Sequence, residues 1–301
     1  MHARGFTLIE LVVVILLTAA VAALAGRNVT GPVLGFVDTS RRAALVDAGH
    51  TAITRITREV RLALPNSVRI DGGNALEFLR TRTGGRYRVA ADPALPLSDP
   101  LEFSGGDTRF DVLGALRAFG RICAGTSPSC GGPAASTAAC MADPRLDCLV
   151  VYNTGQPADC SLLPSGRTNA YCGDNVAGID VADSGAGTLA FVIDGGAFPL
   201  ASPNQRFHVV DTPVSYLCDL GTRTLRRYDG YPIGATQPSV ASPPPVSGRV
   251  LATDVTDCEF SYDPGTATRA ALVAVRLTLA DADAPGERIV LYQQAHVANT
   301  P

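Results

Sequence analysis

The chain has 301 residues, a net charge of −3 and eight cysteines, and all 25 of its basic residues are arginine. That length can bury a sizeable core, as one large domain or two small ones beyond any N-terminal segment. The near-neutral balance points to neither nucleic acid nor an acidic surface as a partner.

The chain opens on a short basic leader, Met1-His2-Ala3-Arg4, followed by Gly5-Phe-Thr-Leu-Ile-Glu-Leu11 and an apolar run to Ala25. Between Phe6 and Gly26 only Thr7, Glu10 and Thr18 are polar. As a helix rising about 1.5 Å per residue this stretch is about 30 Å long, enough to span a bilayer. A carboxylate inside such a segment is costly and marks a functional position. A secretory signal peptide, cut near Ala19–Ala25, is the competing reading, and a charge within its apolar region argues against it.

The string resembles the type III signal of the type IV pilin and type II secretion pseudopilin superfamily. The resemblance implies that a membrane prepilin peptidase cuts between Gly5 and Phe6 and that the new N-terminus, Phe6, is N-methylated. It also implies that Glu10 sets the stagger between subunits. The chemistry is consistent with this: Glu10 lies one turn after Phe6, on the same face. Two such charges in apolar surroundings need partners, which a neighbouring helix can supply. Topmost subunits of the superfamily's tip complexes tend to lack this Glu, so its retention implies a subunit above.

Arg4 keeps the leader cytoplasmic and Arg27 flanks the far side, so the rest of the chain is expected in the periplasm. Gly31-Pro32 is expected to kink the chain. Asp38-Thr39-Ser40 then supplies an N-cap signal, and Leu45, Ala48, Ala52, Ile56, Val60 and Leu64 form an apolar stripe that stops at Pro65-Asn66. Residues 6–64 are thus the N-terminal helix, 6–26 its membrane part, and 65–301 a β-rich head.

Strands are expected at Ser67–Ile70 and Ala75–Leu79 around an Asp71–Asn74 turn, then at Arg86–Val89, Leu149–Tyr152, Leu189–Ile193 and Phe207–Val210. Residues 104–186, rich in Gly, Cys, Ser and Asp, read as an insertion held by disulfides. Further strands are expected at Val214–Leu220, Thr224–Tyr228, Val250–Val255, Cys258–Tyr262, Ala271–Leu279 and Glu287–Tyr292. The fold class is α+β: a long helix packed on an antiparallel sheet.

The cysteines are Cys123, Cys130, Cys140, Cys148, Cys160, Cys172, Cys218 and Cys258. An even number in an exported domain, with no Cys-x-x-Cys pair and few histidines, favours disulfides over zinc. Cys218 with Cys258 is the favoured pair, both lying in strand-like runs; the other six are expected to pair among themselves. Asp174, Asp180 and Asp183 are weak calcium candidates on ligand type, without EF-hand spacing. His2, His50, His208 and His296 are scattered. Ser127, Ser129 and Ser165 lack a nucleophile-elbow pattern. No catalytic constellation and no cofactor are expected.

The strand order Val214-Ser-Tyr216, Leu225-Arg-Arg227, Phe260-Ser-Tyr262 and Val275-Arg-Leu-Thr-Leu279 is similar to J-type pseudopilins and W-type minor pilins. Gln294–Pro301, Arg42–Asp47 and Leu62–Val68 resemble MSHA-pilus minor pilins of the MshO type. The resemblance implies a minor subunit near a filament tip. Its partners would be the prepilin peptidase, other major and minor pilins bound through the helix, and the inner-membrane assembly platform. Two alternatives remain at this level: a J-type pseudopilin of a type II secretion system, and a tip adhesin using the cysteine-rich segment.

Overall fold

A computed structural model describes residues 7–116, 136–155, 160–162, 164–266, 269–282, 284 and 286–301, without the side chains of 26–34. Helix α1 spans Leu8–Val60. It is one helix: helical structure continues through Gly31 and Pro32, and the cap expected at Asp38–Ser40 is not used. A single Pro removes one backbone donor, which the flanking turns can absorb. The Thr39 hydroxyl turns inward instead and donates to Gly35 O at 2.8 Å. Past the helix, Leu64 N–H donates to Leu79 O at 2.8 Å, so the chain passes directly from helix to sheet.

Strands β1 (Arg69–Asp71) and β2 (Ala75–Arg86) form the expected hairpin. Gly72 and Gly73 both have positive φ, 57° and 73°, a conformation that glycine adopts without strain. There follow β3 (Arg109–Asp111), helix α2 (Thr137–Ala142), β4 (Cys148–Val151), β5 (Val176–Gly185), β6 (Thr188–Val192), β7 (Arg206–Asp219), β8 (Thr224–Asp229) and β9 (Arg249–Ala252). Strands β10 (Val255–Asp263), β11 (Ala271–Ala280) and β12 (Arg288–Val297) complete the described elements. Every pairing is antiparallel. Among the described residues a nine-stranded sheet runs β1-β2-β7-β4-β5-β6-β3, with β8 and β9 beside β7, and a separate sheet holds β10-β11-β12.

Strand β7 is the spine of the larger sheet. One side pairs with β2 along its length; the other pairs with β4 up to Val210 and with β8 from Val214. Pro213, which lacks an amide donor, falls at this change of partner, where an unbroken ladder is not required. The sequence suggests two strands here; the structure joins them.

Two main cores result. In the first, Leu45, Ala52, Ile56 and Val60 of α1 meet Phe78 and Tyr216 of the large sheet and Val273, Val275 and Leu277 of the small one. The second gathers Tyr87, Phe110, Phe191, Phe198 and Phe207, with Phe110 and Phe207 centroids 5.2 Å apart. Aromatic edges and faces at such distances attract beyond their buried area.

Residues 104–186, read from the sequence as an insertion held by disulfides, are integrated into the sheet. They supply β3, β4 and β5 to the nine-stranded sheet and part of the aromatic core. Their short strands interleave with Gly and Asp, which hides the alternation that signals a strand. Cys140–Cys148 ties α2 to β4, Cys160–Cys172 closes a loop, and Cys218–Cys258 joins β7 to β10, linking the two sheets. Cys123 and Cys130 lie outside the described residues.

Candidate assembly site

The first turn of α1 holds Glu10, whose N–H donates to Thr7 O at 3.1 Å. A carboxylate at this end is favoured by the exposed N–H groups of a helix start. Gly5 and Phe6 lie outside the described residues. From Leu8 to Ala25 the helix is long and apolar enough to cross a membrane, and none of it is buried by the chain itself. Leu8 is 81% exposed and Leu16 and Leu24 65%. Thr18 needs no partner, since its hydroxyl donates to Val14 O at 2.8 Å. Glu10 has no ion pair among the described residues, so its charge must be met by solvent or by another molecule.

The other end of α1 is held by a buried charged clamp. Glu59 accepts from Arg227 Nε at 2.7 Å, from Tyr216 Oη at 2.7 Å and from Arg55 Nε at 3.0 Å. Arg227 also meets Asp229 at 2.7 Å. Burial alone would raise the Glu59 carboxyl, but the hydrogen bonds from Arg227 and Tyr216 and the Arg227 charge hold it below its ordinary value. Burial opposes the Arg227 charge, yet its two carboxylate partners raise its pKa overall. The clamp fixes the C-terminal end of the helix in the head. Higher on the helix, Gly49 lets the sheet approach: a Cβ there would lie 2.5 Å from Leu291 Cδ1.

A second network fixes the Pro-rich segment after β8. Arg69 pairs with Glu77, lies 3.6 Å over the Tyr171 ring, and donates to Ala235 O at 2.6 Å and Gly234 O at 2.9 Å. Burial raises the Glu77 carboxyl despite Arg69. Sequence reasoning missed both networks. The available signal was a lone acid, Glu59, beside the apolar stripe of a helix whose neighbouring charges are all arginine.

The calcium candidates do not converge. Asp174 accepts from Asn169 N–H at 2.9 Å in the turn before β5, while Asp180, in the middle of that strand, accepts from Ala182 N–H at 3.1 Å and from Asp183 N–H at 3.3 Å. Among the described residues no group of three or more His, Cys, Asp or Glu is placed to hold a metal. His208 is isolated: neither ring nitrogen has a hydrogen-bond partner, and burial, with the nearby Arg206 charge, pushes it down to about 4.

Comparison with protein families matches residues 1–26 to the prokaryotic N-terminal methylation motif. No curated protein and no solved structure matches the chain. The motif implies processing by a prepilin peptidase and use by a pilin assembly system. The motif, one apolar N-terminal helix suited among the described residues to a membrane anchor, and a head in which that helix packs on antiparallel sheets together resemble the architecture of type IV pilin-like proteins.

Proposed function

We propose that the chain is an inner-membrane prepilin that becomes a minor subunit of an MSHA-like type IV pilus, acting in assembly near the tip. The prepilin peptidase cuts between Gly5 and Phe6, and Phe6 is N-methylated. The leader faces the cytoplasm and the head the periplasm, where disulfides form. The helix then leaves the bilayer for the filament core, in contact with other pilins and with the inner-membrane assembly platform.

The observation that carries this reading is Glu10, alone in an apolar span that its own chain leaves bare. In a bundle of parallel helices a neighbour's Phe6 ammonium can neutralise it, which converts a costly charge into a register mark. Intact mass and N-terminal sequencing of the protein from membranes test the processing: a chain beginning at N-methylated Phe6 is expected, and one beginning after Ala25 would refute it. Glu10→Ala tests the docking. It should be processed normally yet fail to enter filaments; normal incorporation would remove Glu10 from the mechanism.

A further inference from the structure

The sheet edges of the head differ in how they are closed. Strands β1 and β3 have three residues each and β9 has four. Strand β10 shifts register between Val255 and Asp257, and its Phe260 N–H donates to Gly73 O at 2.7 Å. Short length, bulges and cover are the usual ways to blunt an edge.

Strand β12 has none of them. Its ten residues keep unbroken register with β11, from Arg288 opposite Ala280 to Val297 opposite Ala271. Strand β11 is its one neighbour, and among the described residues no other backbone hydrogen bond reaches 288–297. Val290 and Tyr292 are 53% and 60% exposed on its outer face. The same outer face carries Arg288 at its start, and Arg276 of β11, opposite Tyr292, is engaged by Glu259 at 2.8 Å and Asp257 at 3.1 Å. A backbone row left unpaired among the described residues, with Val290 and Tyr292 exposed at its middle, accepts one kind of occupant, an extended strand, which supplies alternating N–H and C=O groups at the sheet spacing.

The position of β12 says where that strand comes from. Helix α1 packs directly against β12, with Gly49 beneath Leu291 and Ile289. The open edge is therefore continuous with the element that carries assembly. Helices packing side by side bring their heads together, and a second contact then forms at high effective concentration. We propose that the β12 edge pairs with an extended segment of the adjacent subunit's head, the adjacent subunit being a chain with the same prepilin-type helix. This rests on the assembly function proposed above and adds the head surface through which it acts.

The experiment places a photo-reactive phenylalanine at Tyr292 of the full chain in membranes of producing cells. Leu97, 96% exposed and apolar, serves as the control position. Irradiation should give an adduct from position 292, much weaker from 97, whose second chain carries a prepilin-type N-terminus. Val290→Lys should reduce the adduct while leaving the denaturant midpoint of the head unchanged. Equal yields from both positions, a second chain lacking that helix, or no adduct from a chain that starts at Phe6 would overturn the edge proposal and leave the function intact. A chain still starting at Met1 would overturn both.

Discussion

The two halves of α1 are built from one continuous helix and meet opposite environments. Residues 45–60 find their partners within the chain: Ile56 and Val60 are fully buried, and Glu59 is held by Arg227 and Tyr216. Residues 8–25 find none among the described residues: their apolar side chains are bare and Glu10 has no ion pair. The difference lies in patterning. A half that packs on its own head needs one apolar stripe and one solvated face. A half that enters a membrane or a helix bundle is apolar all round, so a single carboxylate there carries information.

Five variants break or sharpen this comparison. Glu59→Ala has the largest expected effect: it leaves Arg227 buried with Asp229 as its remaining carboxylate, takes the acceptor from Tyr216, and should destabilise the head by about 3–4 kcal/mol in chemical denaturation. The paired double variant, Glu59→Leu with Arg227→Met, should recover most of that loss, which a purely steric role for Glu59 would not allow. Ile56→Ala should cost about 2–4 kcal/mol by opening a cavity between helix and sheets, read from the same transition.

His208 tests a different kind of burial. Its folded pKa, about 4, lies below the ordinary value near 6.5. The unfolded chain therefore binds the proton more readily between these values, and stability contributed by the neutral ring falls as pH drops from about 6.5 to about 4. His208→Leu should remove that slope, so that its unfolding free energy gains on the wild-type value by a margin that grows on acidification, reaching ~2–3 kcal/mol near pH 4 relative to neutral pH. A constant difference across this range would show that the ring does not titrate with folding. Leu16→Ala should be smallest in the unfolding assay, within about 0.5 kcal/mol, because it removes no contact within the chain. A large effect there would mean that the head and the apolar half touch.

Regions of the chain also differ in how readily the sequence discloses them. The apolar run, Glu10 and the stripe from Leu45 to Leu64 are regular at helical period, and local pattern suffices to read them. The C-terminal strands from Val214 to Tyr292 are legible because hydrophobic runs sit between clear turns. The segment 104–186 is not, since β3 and β4 are short and gain their meaning only beside β6 and β7. The clamp at Glu59 escapes the sequence for the same reason: Tyr216 and Arg227 are more than 150 residues away, at separations of 157 and 168. Pairing of Cys218 with Cys258 could be suggested from strand-like context, but its role in linking two sheets needs the topology.

That bridge has a mechanical consequence. The two sheets form jaws around the lower part of α1, one jaw carrying Phe78 and Tyr216, the other Val273 and Leu277. Cys218–Cys258 pins the jaws together covalently. A tensile load applied along α1 would have to spread the jaws against a covalent bond as well as strip the helix from its seat. Reduction would remove that covalent tie between the sheets and leave the helix held by non-covalent contacts alone.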